Sequence, residues 1–255
     1  GKNWRSAAKI ESIGSDLRDA KITVAPNGEL MLCGAEAFQF PNPHTHQSLA
    51  WFSRDGSNWS EKHLIGEKDI WLWRVTWFRN KAYGMGYGCS EKNRVLRLYT
   101  SLDGKVFSPV GEYFRGQGYA NETSIVFAGN KAFCLLRRDD EGETAMIGTA
   151  SFPFSEWTWG DLGVWLGGPH LVLMPEGRLL AAVRVRSGSG DERKTVLGWI
   201  DPEKSVFEEC LVLPSGGDTS YAGMVLHNGI LNLSYYSSHV GKTAIYFAQV
   251  EDVVA

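Results

Sequence analysis

An all-β fold built from repeated sheets is what this sequence predicts, on three observations. Aromatic residues and glycine are abundant, with ten Trp, twelve Phe, nine Tyr and 29 Gly in 255 residues, the composition of many short strands joined by turns. The apolar runs are short and end in Asn, Gly or Asp turn residues, and no stretch shows the 3.6-residue periodicity and caps of a helix. Third, one hairpin pattern recurs along the chain.

That hairpin appears as KITVAPNGELML from Lys21, VTWFRNKAYGM from Val75, SIVFAGNKAFCL from Ser124, LVLMPEGRLLA from Leu171 and MVLHNGILNLS from Met224. Each copy is an apolar strand, a tight turn of the Asn/Gly kind and a second apolar strand, which is hairpin chemistry. The starts lie 54, 49, 47 and 53 residues apart, a spacing that fits propeller blades and exceeds most solenoid repeats. A third run with an aromatic-tipped turn follows in HQSLAWFSRDGSNW, RVLRLYTSLDGKVF, TAMIGTASFPFSEWTW and TVLGWIDPEKSVFEE, and a short fourth in segments such as EKHLI and ECLVL. Four strands per repeat make the blade of a β-propeller.

The expected organisation is therefore a single propeller domain over 1–255, with five blades near 15–66, 67–115, 116–163, 164–213 and 214–255 plus 1–13. The last repeat ends after three strands, at TAIYFAQVEDVVA, while GKNWRSAAKIES at the other terminus reads as a turn end and one strand. A strand from about Trp4 to Ile10 is accordingly expected to close the last blade, because pairing would cover its outer edge. The alternative is a six-bladed fold whose first blade is missing. Ala35 to His46 and Ser187 to Lys194 read as loop insertions.

Composition narrows the partners. A formal net charge of −3 argues against a nucleic acid, which favours a basic face. No apolar run nears the ~18 residues of a membrane span, and no targeting segment is visible in the chain, so its compartment is not assigned. Cys33, Cys89, Cys134 and Cys210 are far apart with no CxxC pair, which disfavours zinc; Cys33 and Cys134 read as small buried hydrophobes. His44 and His46 share a strand face in HTH but have no third ligand nearby, so neither a metal nor another cofactor is expected.

In a propeller the inner strand of each blade starts near the axis, so the residues just before the five aligned strands converge. They are Arg18 and Asp19 in RDA, Trp73 and Arg74 in LWR, Asn121 and Glu122 in NET, His170 in GPH, and Tyr221 in SYAG. Charged, aromatic and imidazole groups at equivalent places exceed what a purely structural ring requires. The bland alternative is solvated loops and inter-blade hydrogen bonding.

SRDGSNW and SLDGKVF resemble the Asp-box turn of sialidase-type propellers, in which the Asp accepts turn N–H bonds, Gly takes an unusual backbone conformation and the aromatic packs beneath. NETSIVF, LLRRDD, LGGPHLVLMPEGRLLAAVR and LPSGGDTSYAGMVLHNGILNLSYYSSHVGKTAIYFAQV are similar to bacterial sialidase-like, BNR-repeat proteins, over essentially the whole chain. The resemblance implies a glycoside hydrolase acting on a terminal sugar, with Tyr221 as nucleophile and Glu122 as the base that a phenol of pKa near ~10 needs. It also implies that Arg138, or its neighbour Arg137, binds a carboxylate through its planar fork. The family's first-blade arginine has no motif match here.

Beside these, Arg18, Arg74 and Arg184 are candidates for a cationic pocket. Asp19 is the candidate proton donor, with Asp218 second, and the role requires a raised pKa. His170 and His239 are candidates for sugar hydroxyls, and Trp73, with Trp71, for stacking on a sugar ring or for core packing. Three functions follow: a sialidase-like glycosidase with carbohydrate as its partner, a propeller that binds glycan or protein without turnover, and, more weakly, a polysaccharide lyase.

Overall fold

The computed structural model describes residues 3–39, 42–187 and 192–251. The chain is all-β, a five-bladed β-propeller of antiparallel sheets matching the five repeats. Its residues divide into two compact units, Gly1–Asn121 and Glu122–Ala255.

The first unit holds two blades. One orders β1 (Ser15–Val24), β2 (Leu30–Phe38), β3 (His46–Ser53) and β4 (His63–Ile65) consecutively. The next has β5 (Ile70–Leu72) and β6 (Thr76–Phe78) as two pieces of an inner strand on β7 (Lys81–Gly88), followed by β8 (Leu96–Ser101) and β9 (Ser108–Tyr113). Met31, Cys33, Ile65, Ile70, Leu72, Val75 and Tyr99 form one buried cluster between these sheets. Burial pushes the Cys33 thiol up to about 12, as expected for a small core hydrophobe. The single helical turn among the described residues is a 3-10 turn at Glu91–Asn93.

Three blades make the second unit. The first comprises β10 (Ala120–Ala128), β11 (Lys131–Arg138), β12 (Met146–Ser151) and β13 (Thr158–Asp161). The second comprises β14 (Gly167–Leu173), β15 (Leu179–Ser187), β16 (Glu192–Asp201) and β17 (Val206–Val212). The third has β18 (Thr219–His227), β19 (Ile230–Ser237) and β20 (Ala244–Val250). Two clusters glue these sheets, one around Leu135, Ile147, Leu171 and Val183, the other around Leu180, Leu197, Met224 and Leu233. The fourth strand expected from about Trp4 to Ile10 is not seen: residues 3–12 carry no strand, and Trp4 is 74% exposed. With only Trp4 and Ile10 as large apolar groups, that segment has no alternation to fix a pairing register. Gly1, Lys2, the centre of both expected loop insertions and the last four residues lie outside the described residues.

The blade turns follow the expected chemistry. Ser53 Oγ accepts the Gly56 N–H at 2.9 Å, Asp55 accepts the Ser57 and Asn58 N–H groups at 2.8 and 2.7 Å, and Trp59 Nε1 donates to Gly56 O at 3.1 Å. The Ser101–Asp103–Gly104 turn repeats the first two features. In SFPFSEW the buried Phe154 stands where glycine stands in the others, at φ 69°, and Trp157 Nε1 donates to its carbonyl at 3.0 Å. Gly56 and Gly104 sit at φ 73° and 72°, but a Cβ at 104 would also lie 3.0 Å from Trp77 and 3.1 Å from Met31, whereas a Cβ at 56 meets only Leu30 at 3.6 Å. Both Gly→Ala changes therefore cost about 1–2 kcal/mol of backbone strain, and G104A is expected to lower urea-unfolding stability by more than G56A; equal losses would contradict the steric account.

Candidate active site

Two inner strands, β10 and β18, begin with polar residues that are buried. Glu122 is 5% exposed near the start of β10, and an ionised carboxylate so placed needs partners to offset its lost hydration. It has them: Tyr221 Oη donates to Oε1 at 2.7 Å, the Gly168 N–H donates to Oε2 at 2.9 Å, and Arg137 Nη1 lies 2.8 Å from Oε2. Three inner or second strands thus meet on one side chain.

Arg137, near the end of β11, is held from its other side by Asp139, with Nη2–Oδ2 2.8 Å and Nε–Oδ1 3.0 Å. Burial works against its charge, and the Glu122 and Asp139 carboxylates outweigh that effect, so the guanidinium is held above its usual range. Trp165 Nε1 donates to Asp139 Oδ1 at 3.1 Å. The Trp165 indole also has three guanidiniums about it, with Arg137, Arg184 and Arg186 at 5.2, 5.5 and 4.2 Å from the ring centre, a cation–π arrangement. Arg184 is 7% exposed, its Nη1 is 3.6 Å from Asp218, and its Nε has no hydrogen-bond partner.

A second phenol flanks the first. Tyr236 on β19 lies 5.8 Å from Tyr221, ring to ring, and donates to Asp218 Oδ1 at 2.9 Å. Burial, then that hydrogen bond, raises the Tyr236 pKa. Tyr221 itself is at φ 53°, a left-handed conformation that costs an ordinary residue about 1–2 kcal/mol and that clusters at functional positions. The cause is a register break in the inner strand. The same break occurs between Arg18 and Lys21, Gly167 and His170, and Ser220 and Gly223, with Asp19, Gly168 and Tyr221 at φ 54°, 56° and 53°. A bulge of this kind re-aims a side chain that would otherwise alternate with its neighbours.

The other sequence-selected residues fall as follows. In the first unit, Asp19 occupies the equivalent bulge, and Arg18 is exposed and bonded to Asp16 at 2.7 Å. Lys21 Nζ donates to Asp19 O at 2.8 Å and sits 3.5 Å over the Trp73 ring. Trp73 is 2% exposed and packs with Trp71 and Tyr87, and Arg74 is half-buried beside it in the chain. His44 bonds Asp69 at 2.7 Å, and His46 lies against Trp71.

In the second unit the two neighbouring arginines part company. Arg137 reaches Glu122, whereas Arg138 faces the other side of β11 and bonds Thr144 O at 2.7 Å, Asp161 at 2.8 Å and Glu143 at 3.2 Å. Successive residues of a strand must point oppositely. His170 Nδ1 accepts the Met224 N–H at 3.0 Å and lies 3.2 Å from Ala222 O, so the ring is a strut between β14 and β18. His239 packs on Tyr246 and bonds Ser237 at 2.8 Å. Tyr236, Trp165 and Arg186 were not selected from the sequence, and Gly168 entered only as part of the GPH stretch that opens an inner strand. SYYSSH and LGGPH contain two of them, but only their pairing across strands gives them meaning.

No protein-family model matches the sequence, and no curated protein matches it. Solved structures do. An endo-arabinase from Bacteroides thetaiotaomicron aligns at 14% identity and TM-score 0.62, over 92% of this chain and 94% of that one. A β-1,2-mannobiose phosphorylase from Listeria innocua aligns at 13% and 0.63, over 96% and 92%. An α-L-arabinofuranosidase from Podospora anserina aligns at 12% and 0.61, over 96% and 94%. Likeness at these identities speaks for the fold, and it lends the sialidase-specific resemblance no support.

Removing Arg137 would take away the guanidinium that lies between the Glu122 and Asp139 carboxylates. Arg137→Met is expected to destabilise the protein by about 3–5 kcal/mol, read by urea unfolding, and R137M/E122Q to recover part of the loss. A neutral R137M would show that the ion pair contributes nothing.

Proposed function

We propose that the protein is a glycoside hydrolase in which Tyr221 is the nucleophile and Glu122 its base. The observation that carries this is the 2.7 Å hydrogen bond from Tyr221 Oη to Glu122 Oε1, made by a tyrosine on a left-handed backbone. A neutral phenol is a weak nucleophile, and a fixed carboxylate within hydrogen-bond reach is what activates it. Attack of Oη on the anomeric carbon passes its proton to Glu122 and expels the leaving oxygen. The covalent tyrosyl glycoside is then hydrolysed by water, so the anomeric configuration is retained. A carboxylic acid must protonate the leaving oxygen; Asp218 is the candidate within the second unit, while Asp19, ranked first from the sequence, belongs to the first unit.

Arg184 and Arg186 beside Trp165 favour a terminal sugar bearing an anionic group, since a guanidinium fork pairs with a carboxylate through two hydrogen bonds. The three similar structures named above are carbohydrate-active enzymes, which supports glycoside chemistry in general and not a particular sugar. A second reading is a propeller that binds glycan without turnover. Arg137 has Nε, Nη1 and Nη2 all bonded to Asp139 and Glu122, which favours it by leaving fewer donors for substrate.

Assay against a panel of acidic and neutral aryl glycosides separates the two. Tyr221→Phe is expected to reduce turnover to background, and Glu122→Gln to reduce kcat by about 10²- to 10⁴-fold, both with a normal unfolding transition, because Arg137 keeps Asp139. Unchanged rates in both variants sink the catalytic roles. Glycan binding by calorimetry with no hydrolysis of any substrate would establish the second reading.

A further inference from the structure

Adjacent glycines at the start of β14 lie against the two halves of the site. Gly168, at φ 56°, donates its N–H to Glu122 Oε2 at 2.9 Å. A Cβ built there would lie 2.0 Å from Ser220 Oγ, 2.8 Å from Tyr221 Cδ1 and 3.1 Å from Tyr221 N. The hydroxyl could rotate away, but ring and backbone could not, so the tyrosine would have to leave its place. Gly167 faces the other way: its Cβ would meet the Trp165 ring at 2.6 Å and Arg184 Nε and Nη2 at 3.1 and 3.2 Å.

We infer that Gly168 is a positioning residue of the reaction: it aligns Tyr221 with Glu122 by giving the carboxylate a backbone donor and the phenol ring the space a side chain would fill. This rests on the proposed glycosidase reading. Arg137 and Gly168 together occupy Oε2 and turn Oε1 to the phenol, so the pair is set before substrate arrives. Gly167 does no such work for the pair; its lack of a side chain serves Arg184 and Trp165.

The two glycines therefore predict different kinetic losses. Gly168→Ala lowers kcat by about tenfold or more with KM changed less than about twofold, the signature of an interaction used in the transition state. Gly167→Ala chiefly raises KM, through Arg184. A G168A enzyme that loses only thermal stability, or whose losses mirror those of G167A, overturns the inference. Should G168A fail to fold, G168A/S220A removes the 2.0 Å contact at little cost, since Ser220 Oγ has no hydrogen-bond partner. Its kcat stays low because the Tyr221 contacts remain; full recovery means that Gly168 only makes room for a hydroxyl.

A readout without turnover separates this inference from the glycosidase reading. With 3-fluorotyrosine placed at 221, the ¹⁹F resonance is expected to move in G168A in the same direction as in E122Q, and to stay put in G167A. Absent turnover of every glycoside by the unmodified protein defeats the glycosidase reading, and the resonance alone then decides whether Gly168 sets the pair. An unmoved resonance in G168A defeats the positioning role whatever the activity.

Discussion

A carboxylate buried at Glu122 is the constraint on which the second unit's site depends. Taking a charge out of water costs several kcal/mol unless donors replace the lost hydration, and those donors come from β11, β14 and β18. Arg137 brings a charge that needs Asp139 in turn, and Asp139 brings Trp165. Much of the site is thus a consequence of satisfying one group. Its conformational cost is concentrated at Tyr221, whose left-handed backbone is tolerated because the bulge in β18 and the phenol's bond to Glu122 hold it there.

The blade repeat supplies that bulge. Similar turns and hairpins recur from blade to blade, and the inner strands β1, β14 and β18 each break register a few residues before their hairpin turn. At that point the fold demands a positive φ and leaves the residue type open: Asp19 in one blade, Gly168 in another, Tyr221 in a third. Glycine meets the demand without strain. Where Asp or Tyr stands instead, a side chain is carried at a backbone strain of about 1–2 kcal/mol.

The architecture was legible because turn residues and apolar alternation are local, and the five hairpins are written out in consecutive residues. Glu122 and Tyr221 were legible for a related reason, since both occupy equivalent places in the repeat. Arg137 against Arg138 was not, because strand phase at the end of β11 decides which neighbour faces inward, and a doublet of identical residues carries no phase. Trp165, Arg186 and Tyr236 gain their roles only across strands. His170 reads as polar from its sequence neighbours, yet its ring spends Nδ1 on the Met224 amide. The N-terminal segment was read from what the last repeat lacked, and its own residues have no pattern to enforce a strand.

Residue types alone would not have found the site, as the first unit demonstrates. There Tyr99 donates to Glu67, and Arg97 pairs with Glu67 at 2.7 Å and Glu112 at 3.0 Å, the same phenol, carboxylate and guanidinium. Yet Tyr99 has no exposed surface, and burial, followed by its bond to Glu67, pushes the phenol pKa up. It sits in mid-strand on β8, without backbone strain, among the apolar residues that join two sheets. Glu67 is half-exposed, its carboxylate held by Tyr99 and Arg97 below its usual range although burial opposes them. Such a trio closes the edge of a core. The Tyr221 trio inverts each feature: the carboxylate is the buried member, the phenol is the accessible one, and the strain lies in the backbone that presents it. The proposed roles of nucleophile and base call for a reachable phenol beside a sheltered carboxylate, and of the two trios only the second has that arrangement.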